Sequence, residues 1–323
     1  MAIGASKLGQ MALAKETVWG TAPTFPNPAP GLVITSEDFS PDVGIEVFQE
    51  ISGSMQDRRT GRGVEQWKGT IEFPLEIGGQ GVGGVGELLS SVFGTDTVSG
   101  IADPYLHTLT VLEATEISSY SLWFDRDVGY YQLQGFRPSS VSISVDRGSS
   151  SIPVSINGIA QQEVSSTTKV VGYSTELPMT PQMAGVTVDG VTVDGWEKVD
   201  VEFSRELEAI NALTGNDYIG LLLSKTFTAK LSASGVFGTT KLDDVVRSAY
   251  RNRTPMAIVI TIQISANRSI VMTFPKVQLD SFKGPKLSGS DIVRADFTGI
   301  ILKPDTGNNK VEIKNSRVSS YTA

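Results

Sequence analysis

The chain has one histidine, His107, and no cysteine, so the commonest general base and metal ligand occurs once and thiolate chemistry not at all. His107 stands in Tyr105-Leu106-His107-Thr108 and would need a serine and an acid to make a hydrolase, yet no G-x-S-x-G elbow occurs in the chain. A satisfied structural histidine is the better reading. The sharpest motif is Gly79-Gln80-Gly81-Val82-Gly83-Gly84, a G-x-G-x-x-G within the glycine-rich stretch from Gly78 to Gly86. It follows an expected strand and opens an expected helix, the setting of a dinucleotide-binding turn. That helix is barely two turns, too short for a crossover, and residues 95–104 offer no strand ending in a ribose-binding acid. A plain strand-to-helix connection explains the glycines. No phosphate loop of the G-x-x-x-x-G-K-[ST] type is present, and Asp189-Gly190 and Asp194-Gly195 read as turns rather than a calcium loop. No catalytic, metal-binding or cofactor-binding residue is assigned, and no cofactor is expected.

Basic residues gather in two places. Arg58, Arg59 and Arg62 lie in the polar, glycine-punctuated run 53–63, and Lys310, Lys314 and Arg317 lie near the C terminus. With a net charge of −8 and a pI near 4.9, these suit protein contacts better than a grip on phosphates. Residues 1–165 carry 19 acids and 9 bases, net −10, and the remainder 16 acids and 18 bases, net +2. That asymmetry suits head-to-tail contact between copies. Residues 1–17 lack the apolar core of a signal peptide, and no apolar run approaches the ~20 residues of a membrane helix. No membrane anchor is expected.

The elements that carry these residues read as mainly β, in an α+β arrangement. Pro23, Pro26, Pro28 and Pro30 place an extended arm over residues 1–30. A first domain follows over 31–165, with a long exposed loop at 44–64. Trp67, Gly69, Ile71 and Phe73 alternate with polar neighbours as in a half-buried strand, and Val85, Leu88, Leu89 and Val92 mark a short amphipathic helix. Strands are expected at 120–124, 130–136, 141–145 and 152–160. After a linker at 166–195, a second domain over 196–303 repeats this order. Phe227, Ala229, Leu231 and Ala233 match the first strand, and Leu242, Val245, Val246 and Ala249 match the helix. Strands at 256–264, 270–274, 277–279 and 297–302 follow, and Asn157-Gly158 stands where Thr298-Gly299 stands. An internal duplication is the natural explanation. Residues 304–323 read as a C-terminal arm.

These residues resemble a known family. Ala14-Lys15-Glu16-Thr17 with Gly20-Thr21, Trp67-Lys68-Gly69 opening a strand, the helix ending Leu88-Leu89 before Phe93-Gly94, and Tyr105 before His107-Thr108 are similar to the tail tube (major tail) proteins of long-tailed, non-contractile bacteriophages. The likeness spans about residues 10–165. It implies tandem β-sandwich or barrel domains, each with a flanking helix, and a structural virion protein rather than an enzyme. Six such domains would join sheet edges into a ring, and rings would stack head-to-tail into a tube that conducts DNA without binding it specifically. The tape measure, tail terminator and distal tail proteins are the implied partners. The location is the virion tail, after synthesis in the host cytoplasm. Two domains per chain imply a homotrimeric ring with approximate sixfold symmetry; a hexamer with an outer decorating domain is the alternative. The candidate inter-ring contacts are Arg58, Arg59, Arg62, Lys310, Lys314 and Arg317. Another β-sandwich binding or adhesion protein, or a nucleotide-binding enzyme using the Gly78 to Gly86 turn, are the rival readings.

Overall fold

In the strand running from Pro153 to Ala160, Val154, Ile156 and Ala160 are buried while Ser155 and Asn157 face outward. That alternation makes one face of a sheet a core surface and leaves the other polar. The computed structural model describes residues 9–48, 59–80, 82–193, 195–211, 217–236, 242–283 and 294–322. Strands make up 59% of it and helix 7%, so the protein is mainly β.

The first half contains β1 (Gln10–Lys15), β2 (Ala29–Pro30), β3 (Ser36–Glu37), β4 (Ser40–Phe48) and β5 (Arg59–Pro74), then helix α1 (Val85–Phe93). It continues with β6 (Gly94–Ser99), β7 (Tyr105–Val111), β8 (Tyr120–Asp125), β9 (Tyr130–Asp146), β10 (Pro153–Ala160), β11 (Gln162–Ser165) and β12 (Val171–Gly172). The second half contains β13 (Ala184–Val188), β14 (Val191–Thr192), β15 (Trp196–Ile210) and β16 (Leu221–Val236). A π-helical turn, Leu242–Arg247, leads into α2 (Ser248–Asn252), followed by β17 (Met256–Ser265), β18 (Arg268–Lys283), β19 (Arg294–Ile301) and β20 (Lys310–Asn315).

The long strands form one antiparallel inner sheet in the order β4-β5-β10-β9-β15-β16-β19-β18. Strands β9 and β18 run on past it into an outer layer. The N-terminal part of β9 pairs with β8 and β11, and β8 with β1. The N-terminal part of β18 pairs with β17 and β20, and β17 with β13. Inner and outer layers enclose a β-sandwich core that runs through both halves, from Phe73, Leu89 and Phe136 to Phe203, Phe274 and Phe297.

Helix α1 forms where the apolar spacing predicts it. Glu87 reaches back to accept the N–H of Gly84 at 3.1 Å, and Gly94 ends the helix in the left-handed region at φ 93°. The second helix is π-wound over its first six residues rather than α-helical throughout.

Several boundaries differ from those the sequence suggests. Within the expected loop 44–64, residues 44–48 and 59–64 belong to the paired strands β4 and β5, and 49–58 lie outside the described residues. The expected N-terminal arm is anchored, since β1 pairs with β8 and β2 with β12. The expected linker contributes β13 to the second half's outer layer. The expected C-terminal arm contains β20, which fills the gap between β18 and β7 and so ties the halves together. Strand β5 lies against β10 with Gly69 opposite Gly158, and β16 against β19 with Leu231 opposite Gly299. That register matches Trp67 to Ala229, two residues beyond the Phe227 that alternation alone suggests.

Candidate assembly surface

The outward face of the inner sheet is a small-polar lattice. Asn157 donates to Ser140 Oγ at 3.0 Å and accepts from Thr70 Oγ1 at 2.7 Å, linking three neighbouring strands. Asp200 accepts from Ser232 Oγ at 3.2 Å and from the Ser144 hydroxyl, and pairs with Lys198 at 3.1 Å. Glu72, Glu202, Lys230, Asp296 and Thr298 project from the same face into solvent. Cross-strand hydroxyl and amide bonds fix these side chains at a modest gain per pair. The result is a polar wall whose side chains are bonded from strand to strand.

The two ends of this sheet are open. Strand β4 pairs with β5 alone, and among the described residues no strand pairs with the far edge of β18 beyond Val277. Unpaired N–H and C=O groups along such edges are templates for another chain. The β4–β5 hairpin also carries exposed apolar side chains, Ile45 at 74% and Val47 at 51% exposure, while its β5 strand bonds to residues 217–219 through Glu65.

Of the six basic residues singled out in the sequence, Arg58 lies outside the described residues and Arg59 opens β5 opposite Phe48. Arg62 is exposed on the hairpin, paired with Glu65 and, at 3.7 Å, with Asp217. Lys310 and Lys314 stand on β20, where Lys310 pairs with Glu312 at 2.9 Å. Arg317 belongs elsewhere. Its guanidinium meets the buried Glu87 carboxylate, stacks 4.5 Å from the Tyr321 ring centroid and donates through Nε to the Ser319 carbonyl at 3.0 Å.

Arg317 is part of a buried clamp that sequence reasoning missed. His107 has no exposed surface; its Nδ1 lies 2.9 Å from Asp96 Oδ2 and its Nε2 2.9 Å from the Arg317 carbonyl. Both partners are acceptors, the arrangement of a ring that donates from both nitrogens. Asp96 also accepts from the Tyr321 N–H at 2.7 Å, and Asn315 donates to the Tyr321 hydroxyl at 2.7 Å. Burial pushes the Glu87 carboxyl up while Arg317 pulls it back down. Two acidic and two basic side chains thus meet in pairs beneath the C-terminal tail. A second clamp is Arg205 of β15, which caps the end of α1 through Val92 O at 2.8 Å, Phe93 O at 3.3 Å and Leu112 O at 3.0 Å.

The glycine-rich turn is spent on the fold. The N–H groups of Gly83, Gly84 and Val85 go to Gly31 O, Glu87 Oε2 and Glu76 O at 3.0–3.1 Å, leaving them none to offer a phosphate. A Cβ on Gly86 would stand 2.2 Å from the Tyr321 ring, so that glycine admits the C-terminal tail. The strands flanking α1 pair antiparallel with β10 and β7, not as the parallel neighbours joined by a crossover helix that a dinucleotide fold needs. Among the described residues no group of three His, Asp or Glu side chains could hold a metal ion, and no helix is long and apolar enough to cross a membrane.

Among curated proteins, none matches the chain. A family model described as phage tail tube protein matches residues 6–300, nearly the whole length. With a two-layer β fold, a polar sheet face and open sheet edges beside it, the match is decisive: the chain belongs to the phage tail tube protein family, structural proteins of the virion tail.

Proposed function

We propose that three copies of this chain close into a ring and that rings stack head-to-tail into the tube through which phage DNA leaves. The observation that carries this reading is the junction of β9 with β15. There a four-stranded unit of the first half, β4-β5-β10-β9, joins a four-stranded unit of the second half, β15-β16-β19-β18, edge to edge in one sheet. The two units have the same strand order, which supports an origin by duplication. The chain would thus carry two of the six units of a ring, and open edges remain at both ends to continue it.

The small-polar sheet face would line the lumen. Ser140, Ser142, Ser144, Ser155 and Asn157 offer DNA neither apolar surface nor fixed positive charge, and Asp200 and Glu202 repel phosphate. Stacking would use the β4–β5 hairpin with Ile45, Val47, Arg58, Arg59 and Arg62, and the basic strand β20 with Lys310 and Lys314. Arg317 is assigned to the tail clamp. The tape measure, tail terminator and distal tail proteins would meet the finished tube. Microscopy of tubes formed by the purified chain, or of native tails, tests the proposal. Three chains per ring with alternating, non-identical units are expected; six equivalent chains would refute the trimer, and persistent monomers with no ring in virions would refute the tube.

A further inference from the structure

The sheet contains one unit-to-unit junction, and its register specifies the residues of the junction between chains. Resting on the ring reading above, we infer that β4 of one chain pairs antiparallel with the end of β18 of the next, Ser40 opposite Lys283 and Asp42 opposite Ser281.

Strands β9 and β10 meet with Pro138 opposite Gly158, then a bulge, then Ser140 opposite Asn157 and Val141 opposite Ile156. Strands β18 and β19 meet with Leu279 opposite Gly299, then a bulge, then Ser281 opposite Thr298 and Phe282 opposite Phe297. The bulge falls at the same step, and a constant 141 residues separates counterparts, 140 from 281 and 158 from 299. Strands β4 and β5 behave alike towards β15 and β16. Val43 faces Glu65 and, after a bulge, Ile45 faces Arg62; Arg205 faces Phe227 and, after a bulge, Leu207 faces Ser224. Here the separation is 162, 43 from 205 and 62 from 224. Bulges re-aim a strand, so their coincidence places both edges of the two units alike.

The internal junction sets Glu202 opposite Ser142 and Ser204 opposite Ser140. Carried across by these separations, Glu202 becomes Ser40, Ser204 becomes Asp42, Ser142 becomes Lys283 and Ser140 becomes Ser281. The N–H of Asp38 bonds Thr70 O at 3.2 Å, so by strand alternation those of Ser40 and Asp42 also point at β5. Across the open edge these two are therefore non-hydrogen-bonded positions, where facing Cα atoms approach to about 4.5 Å. Lys283 comes diagonal to Asp42, an attractive charge arrangement. On the core side, exposed Pro41 covers half-buried Phe282, which packs against Tyr250 at 6.0 Å.

The same edge is guarded in the free chain. The nitrogen of Pro41 faces outward without a proton, and the Phe39 N–H is taken by Glu37 at 3.3 Å. The internal counterparts, Phe203 and Val201, have no such guard. The outer junction would hence be weaker than the internal one and depend on ring closure.

The chain has no cysteine, so S40C/K283C and D42C/S281C each introduce one defined pair. Within one chain the two edges lie seven strand intervals apart, about 34 Å along the sheet, which excludes an internal disulfide. Each double variant is assembled, oxidised and run on a non-reducing gel beside its single-cysteine parents. Covalent dimers and trimers at roughly tenfold or more above the single variants are expected for both pairs. Normal tubes with neither pair cross-linked, or equal cross-linking in the single variants, would overturn the register while leaving the tube intact. Failure of the unmodified chain to form tubes would instead overturn the ring reading. If one pair prevents assembly, the other decides.

Discussion

Individual residues in this protein are spent on holding two halves together. Arg205 is the clearest case, a buried guanidinium that supplies the C-terminal cap of α1 from a different strand. Truncation to alanine removes the donor that Arg205 gives the Val92 and Leu112 carbonyls, while Phe93 O keeps the Leu112 N–H, so R205A should lose on the order of 3 kcal/mol, read by chemical denaturation. Tyr321 fills the space that Gly86 leaves and is 1% exposed. Y321A should cost about 3–5 kcal/mol and expose the C terminus to carboxypeptidase. Glu76 works in the other direction. Burial lifts its carboxyl from 4.5 to about 7, and Oε2 finds no hydrogen-bond partner among the described residues. The fold therefore keeps a proton that the unfolded chain releases, and stability falls as pH rises from 4.5 to about 7. E76Q should flatten that slope and stabilise the protein above pH 7 by about 1–3 kcal/mol, visible as a raised Tm at pH 8 against little change at pH 4.

Among the elements, the exposed β4–β5 hairpin and the open edges of β4 and β18 are the parts proposed to act on another chain. Ile45 and Val47 bury little within the chain, so I45D/V47D should leave circular dichroism and Tm nearly unchanged. The same variant should abolish tube growth at the ring stage, and normal tubes would exclude the hairpin from stacking. Pro41 guards the edge, and P41V restores the missing donor. Rings should then form at lower protein concentration, as read by analytical ultracentrifugation. Strand β20 was legible in the sequence, since Val311 and Ile313 alternate with Lys310, Glu312 and Lys314. Read for its charge, it passes for an arm; in the fold its buried face completes the outer layer. Strand β6 was not legible, because Gly94-Thr95-Asp96-Thr97 carries almost no apolar alternation and is held by pairing to β7.

For the whole molecule, strand number fixes the bore. In the proposed ring, three chains of eight inner strands would give a closed sheet of about 24 strands, and with strands ~4.8 Å apart and tilted by up to ~40° the backbone walls would stand about 37–48 Å apart. That spacing admits a DNA duplex with a layer of water. In that ring, charge on the wall would control transit. S142K/S155K/E202K would add basic groups to a face rich in hydroxyls and acids, on which Lys198 is paired with Asp200 and Lys230 is exposed. Tails built from it should assemble yet eject DNA more slowly, with the deficit relieved by salt as counterions compete for phosphate.

The sequence by itself determined what its local patterns encode. Period-2 alternation from Val154 to Ile156 marked a strand, and Asp189 and Gly190, read as a turn, do form one in the left-handed region, with φ 48° and 77°. Apolar residues at helical spacing marked α1, and His107, read as a satisfied structural residue, is buried between Asp96 and the Arg317 carbonyl. Pairing was another matter. Which strands share an edge depends on residues far apart in the chain, 60 positions for Glu202 with Ser142 of β9 and 200 for Lys310 of β20 with Thr110 of β7. Nothing in a strand's own alternation names its neighbour, because any strand with one apolar face can cover the same core. For the same reason the His107–Asp96–Arg317 clamp was illegible: a charged group is buried only where distant segments bring its counter-charge, and only the tertiary fold does that.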